Sequence, residues 1–200
     1  MNEKFWDLKK SKQDNMINGS LKVFAGSGFR HASTDEIVAE ASVSKGLLFH
    51  YFYSKTGLYE FLTEYCARFA LVELASEIRK QDSLPFFELQ NRLTRAQSRV
   101  MRQYPCLFLF LESAGSDTSF ENREEALANI ALYTDKLSAL EKDAVLPVGM
   151  TASDAARISR MLHLVRLSAA GSLLSQGPFS PDKYSAEVSE YVRLFEEMYK

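Results

Sequence analysis

The 200-residue chain is short of the residue types that build most catalytic and metal centres. It has two cysteines, three histidines, five prolines and one tryptophan. Cys66 and Cys106 form no spaced metal pair and neither adjoins a histidine in sequence; two isolated thiols fit a reducing compartment. His31, His50 and His163 are scattered. There is no Gly-rich phosphate loop, metal-ligand spacing or nucleophile elbow, so the sequence offers no catalytic residue, no metal set and no cofactor motif, and the chain does not read as an enzyme. The longest apolar run, Cys106–Leu111, is far too short to cross a bilayer. The opening MNEKFWDLKK lacks the apolar stretch of a secretory signal. The expectation is a soluble cytoplasmic protein with no membrane partner. Charge of either sign is also scarce in excess: the net is −2, and residues 1–60 carry eight Lys or Arg against seven Asp or Glu. No global field draws such a chain to nucleic acid, so local placement must carry any argument for DNA binding.

What is present is helical periodicity, with Pro and Gly at boundaries and no convincing strand alternation. The pattern predicts an all-α chain of about nine helices. The first runs from about Lys12 to Ala25 and ends at Gly26-Ser-Gly28. The second covers Thr34–Ala41, with Ser33 and Glu36 at capping-box spacing. The third covers Lys45–Phe52 behind Ser44. The fourth starts after Ser54 and reaches about Lys80, turning Leu58, Phe61, Leu62, Tyr65 and Phe69 inward. Pro85 is placed to open a fifth helix that closes before Pro105. A short apolar helix over about Cys106–Ser113 follows. Thr118 and Glu121 are spaced to start a long helix to about Ala144. After a loop at 147–152 come Asp154–Ser175 and a last helix from Pro181 to about Tyr199. With no low-complexity tract, the chain divides into a head over residues 1–60 and a body over 61–200, joined by the continuous fourth helix.

Two short helices on a tight turn, with a third behind them, form a helix-turn-helix. Ile37, Ala41, Val43, Leu48 and Phe52 fall where they bury together, which leaves Lys45, Gly46, Phe49 and His50 directed away from the core. A cation, an imidazole, an aromatic ring and a small residue on one narrow face suit a DNA major groove. The free N–H groups at the starts of the second, third and fourth helices suit phosphate, with Ser33, Thr34, Ser44 and Lys55 beside them. Aromatics at helical spacing are more often core, and only the ordered pattern over the whole segment outweighs that reading.

The stretch FAGSGFRHASTDEIVAEASVSKGLLFHYFYSKTGLYEFL resembles the N-terminal DNA-binding domain of the TetR family of bacterial regulators, most specifically at VSKGLLFHYFYSK. The likeness covers residues from about 12 to 62 without gaps. It implies that Ser33 and Thr34 anchor phosphates, that Lys45, Gly46, Leu47 and Phe49 face bases or sugar, and that His50, Tyr51 and Lys55 bind phosphate. Leu47 and Phe49 stand where the family usually has threonine and tyrosine. The reading face is thereby more apolar and better suited to thymine methyl groups than to hydrogen-bonded readout.

The resemblance further implies a homodimer on an inverted-repeat operator of double-stranded DNA, and a body that takes a small-molecule effector. Repression follows the family majority; activation, or a TetR-like fold that binds a protein partner, is the alternative. In the body, Ala155, Ile158, Leu162, Val165 and Ala169 form one apolar face, and Met161, Leu164 and Leu167 a second, so that helix must be covered on two sides. Tyr104 and Phe108 are candidates to line an effector pocket. His163 and Arg166, three apart on a mostly apolar helix, are candidates to hold an anionic group. Arg92, Arg95, Arg99 and Arg102 read as a solvated face.

Overall fold

A computed structural model describes residues 1–78 and 83–200. Nine α-helices account for most of the described residues, and no strand is formed among them. They are α1 (Lys10–His31), α2 (Thr34–Ala41), α3 (Lys45–Phe52), α4 (Lys55–Glu77), α5 (Phe86–Gln103), α6 (Leu107–Ser116), α7 (Arg123–Lys142), α8 (Ala152–Gln176) and α9 (Pro181–Glu197). The expectation that the fourth helix reaches Lys80 falls outside the described residues. The chain clusters into two compact units, residues 1–68 with 103–132, and residues 69–102 with 133–200.

In the first unit, α1 is longer than its periodicity suggested, because helical geometry breaks only at Gly28 (φ 66°, ψ 176°) and a final turn follows to His31. A side chain is strained at that φ, so glycine sets the bend. Gly19 permits a close crossing: a Cβ there would stand 2.5 Å from the Ala41 backbone nitrogen of α2. The interior is aromatic. Tyr59 packs edge-on to Phe24 and Phe29 at 4.9 and 5.1 Å and meets Phe110 and Phe120 at 5.3 and 4.7 Å between ring centroids. Such offset contacts add roughly 0.5–1.5 kcal/mol each beyond burial.

Residues 117–122 correct a sequence expectation, since α7 begins at Arg123 and not at Thr118. The Asp117 carboxylate accepts from the Ser119 N–H at 2.8 Å and from the Phe29 N–H at 2.7 Å, and Phe120 is buried against Phe29 and Tyr59. That turn spends the residues a helix start would need.

The second unit begins with a short pairing that the sequence did not reveal. Phe86 N–H donates to Val145 O and Val145 N–H to Leu84 O, both at 2.9 Å, so the start of α5 is pinned to the turn after α7. Pro85 lies one residue ahead of α5, and its carbonyl accepts from the Leu89 N–H. From α5, Leu89, Leu93, Ala96 and Val100 are buried. The arginines on the opposite side are more than a solvated face. Arg92 pairs with Glu88, Arg95 with Glu77 and Glu88, and Arg99 with Glu73 and Glu77, which ties α5 to the end of α4. The start of α8 was read two residues late: Thr151 and Asp154 make a reciprocal capping box ahead of Ala152.

Candidate nucleic-acid interface

Helices α2 and α3 occupy the residues their caps and periodicity predicted. Ser33 caps α2 by accepting from the Asp35 N–H at 3.2 Å, one residue earlier than the expected bond to Glu36. Ser44 caps α3 by accepting from the Leu47 N–H at 3.2 Å. A hydroxyl that accepts a capping bond keeps its own proton to donate, so both serines retain a donor. Between the helices Ser42 adopts the left-handed conformation (φ 53°, ψ 45°), and its N–H and that of Val43 close onto Ala39 O and Val38 O. That turn sets the angle of α3. Ile37, Ala41, Leu48 and Phe52 are buried, and Val43 is half-buried.

The residues assigned to the reading face are on the outside of α3. Lys45, Gly46 and His50 are exposed, and Leu47 and Phe49 are half-buried. Lys45 Nζ lies 2.9 Å from Asp35 Oδ1 of α2. Both side chains are exposed, and such a pair is worth little in water, so the ammonium can move to a phosphate or base. Thr34 is half-buried at the first turn of α2, and Ser44 is exposed. Tyr51 is mostly buried, packed edge-on to Phe5 with centroids 5.8 Å apart.

Lys55 is placed differently from the other polar residues of the face. Its Nζ donates to the Phe29, Arg30 and Ala32 carbonyls at 2.8, 3.5 and 3.2 Å and stands 4.6 Å from the Phe29 ring centroid. A cation at the carbonyl end of a helix is favourable, and here it ties the end of α1 to the start of α4. The corner between α3 and α4 is tight. Tyr53 has φ 64°, and the Ser54 N–H donates to Phe52 O at 2.7 Å, a strained three-residue turn.

Sequence reasoning missed the N-terminal segment. Residues Glu3–Asp7 form a 3-10 turn that buries Phe5 fully against Tyr51, Phe52 and Phe61. The Asn2 N–H donates to Tyr51 O at 2.8 Å, and Gln13 Nε2 donates to Trp6 O and Leu8 O, both at 2.9 Å. The closely placed Phe5 and Trp6 were the only signal, and five residues are too few for a period. The segment braces the C-terminal end of α3.

The four residues named for an effector divide between the two compact units. Tyr104 and Phe108 are in the first and His163 and Arg166 in the second. Tyr104 is a fully buried polar hub: its hydroxyl donates to Asp14 Oδ1 at 2.8 Å, accepts from Lys10 Nζ at 3.1 Å and meets the Tyr65 hydroxyl at 2.9 Å. Burial, with these neighbours, pushes its pKa far up, so the phenol stays protonated. Phe108 is buried, His163 is exposed, and Arg166 is buried among neutral acceptors. No helix among the described residues is long and apolar enough to cross a membrane.

Residues 16–62 match the model of the bacterial regulatory proteins of the tetR family. The whole chain is similar in fold to solved TetR-type structures. One is described as a fatty acid metabolism regulator of Clostridium perfringens, with 20% identity over 89% of this chain and 96% of that one and a TM-score of 0.60. Another is a TetR family transcriptional regulator from Chloroflexus aurantiacus, with 17% identity, 98% and 94% coverage and a TM-score of 0.60. A third is the regulator FadR from Bacillus subtilis in complex with stearoyl-CoA, with 13% identity, 90% and 95% coverage and a TM-score of 0.58. No curated protein matches the chain in sequence. Residues 16–62 thus match the tetR family's model, and the chain shares its fold with these solved regulators.

Proposed function

We propose that the chain works as a homodimeric repressor, with residues 1–60 reading DNA and residues 61–200 pairing and sensing. The observation that carries this is the outer face of α3, where Lys45, Gly46 and His50 stand exposed beside Leu47 and Phe49. Ser33 and Thr34 at the start of α2, and Ser44 at the start of α3, supply hydroxyl donors for phosphates. Leu47 and Phe49 favour thymine methyl groups in the major groove. Tyr51 and Lys55 reach phosphate from the rim of the face, Lys55 while remaining tied to the carbonyls at the end of α1.

Pairing is supported by the second unit. Helix α8 leaves Met161 and Leu164 exposed while burying Ile158 and Leu162, and α9 leaves Tyr191 and Leu194 exposed while burying Val188 and Val192. An apolar stripe left open on each of two adjoining helices fits a two-fold interface with a second copy. A dimer of this kind sets two recognition helices in successive major grooves, about 34–36 Å apart, over an inverted repeat. A small molecule that binds one dimer geometry better than the other shifts DNA affinity by that difference and no more. The FadR neighbour holds stearoyl-CoA, so the fold accommodates such a ligand in at least one relative.

Selection of DNA from a random library by the full-length protein tests the reading. The expected product is an inverted repeat with half-site centres one helical turn or a multiple of it apart, with thymines in each half-site. Absence of any enriched sequence contradicts it and turns attention to a protein partner.

A further inference from the structure

Asp35 puts a carboxylate beside the α3 face that is proposed to meet DNA. It lies in the first turn of α2 with its side chain 77% exposed, and its Oδ1 stands 2.9 Å from Nζ of Lys45, the first residue of α3. The Lys45 side chain is itself 52% exposed. The two residues are ten apart in sequence and belong to different helices, so the turn between those helices sets their spacing. Backbone bonds close that turn: the Ser42 and Val43 N–H groups donate to Ala39 O and Val38 O, and Ser33 and Ser44 cap the two helix starts. The pair itself contributes little to stability, because both members are exposed. An acid in the first turn suits the helix dipole, but Glu36 in the same turn already supplies one.

A carboxylate is unfavourable on a surface that docks on a polyanion, since every nearby phosphate repels it. If Lys45 leaves for a phosphate, Asp35 faces that repulsion alone. A base-edge donor offsets it, and the major groove offers two, cytosine N4–H2 and adenine N6–H2. Lys45 needs acceptors, which guanine supplies side by side at O6 and N7. A C·G pair presents both kinds together. Its N4 and O6 atoms are bonded to each other at about 2.9 Å, the same separation as Asp35 Oδ1 and Lys45 Nζ. The ion pair can therefore meet that base edge as a unit, acid on donor and ammonium on acceptor, without opening. A·T fits less well: the thymine methyl crowds the lysine beside O4, and adenine N7 sets an acceptor beside the carboxylate. We propose that Asp35 and Lys45 together read one C·G pair in each half-site, Asp35 accepting from cytosine N4–H2 and Lys45 donating to guanine O6 and N7. This deepens the proposed DNA reading by α3 and rests on it.

The sequence selected from a random library by the full-length protein is altered one base pair at a time, and each duplex is tested by competition binding. Wild type is expected to require C·G at one position of each half-site, with every other pair there weakening binding roughly tenfold. Asp35→Ala loses that requirement and binds random DNA more tightly, because a repelled charge is gone. That opposite movement is one a merely structural role would not produce. Asp35→Asn keeps an acceptor and gains a donor for adenine N7, so it admits A·T beside C·G. Lys45→Ala relaxes the same position, and the double variant relaxes it no further. Thermal unfolding shows that Asp35→Ala is folded; if it is not, Asp35→Asn decides. The reading by the pair is overturned if the selected repeat has no required C·G, if Asp35→Ala keeps the requirement, or if the two single variants relax different positions. In each of these cases the repeat itself still upholds DNA reading by α3. Enrichment of no sequence at all contradicts both.

Discussion

At the scale of single residues, the polar groups of the proposed DNA face separate into two kinds. His50 is exposed and in ring contact with Tyr51. Lys55 is committed to three carbonyls and a ring. His50→Ala is therefore expected to weaken DNA binding and leave Tm unchanged. Lys55→Ala is expected to lower both, because it strips a charged donor from carbonyls at the end of α1, at a cost of about 1.5–3 kcal/mol. Thermal denaturation beside a binding titration checks the pair; equal Tm values for wild type and Lys55→Ala would contradict the structural tie. The motif located Lys55 but gave no sign of its partners, since Phe29 and Ala32 lie more than twenty positions away. Arg166 is similar: its place on an apolar helix singled it out, but the acceptors that define it, Gln90 and Thr94, are more than seventy residues distant.

At the scale of elements, caps and short-range periods were legible and long-range packing was not. The ends of α2 and α3 follow from Ser33, Ser44 and the turn at 42–44. The start of α7 was misplaced because Asp117 bonds across to Phe29 and Phe120 is drawn into the core, facts that no local window contains. The crossing of α1 and α2 depends on Gly19. Gly19→Ala places a methyl 2.5 Å from the Ala41 backbone nitrogen, and forcing such overpacking costs about 1–3 kcal/mol. A chemical denaturation series is expected to show that loss with an unchanged slope.

The tie between α4 and α5 carries a pH signature. Burial works to raise the Glu77 pKa, but hydrogen bonds from Arg95 and Arg99 outweigh it and hold the carboxyl below its ordinary 4.5. A folded-state pKa below the unfolded value stabilises the protein fully above pH 4.5, and that stability is lost as pH falls through the folded value. Glu77→Gln should therefore be less stable than wild type at neutral pH, with the gap closing in acid. A gap that is constant with pH would show that the ion pairs contribute nothing.

At the scale of the whole molecule, the proposed pairing rests on the open apolar stripes of α8 and α9. Leu164 and Leu194 are each 56% exposed in the single chain. Leu164→Glu with Leu194→Glu is expected to give a folded monomer by sedimentation, with binding to an inverted repeat reduced by at least the tenfold that loss of the second half-site implies. A double variant that remains dimeric would place the interface elsewhere.

Residues on α3 and at the starts of α2 and α3 are proposed to read DNA. The most direct test is a salt titration of binding to the selected inverted repeat, comparing wild type with Lys45→Ala and His50→Ala. Tight, sequence-selective binding that falls with salt is expected, with Lys45→Ala relaxing base preference and lowering the salt slope by about 1, and His50→Ala weakening binding to all sequences. Binding no tighter than to random DNA, unaffected by either substitution, would contradict DNA reading by α3.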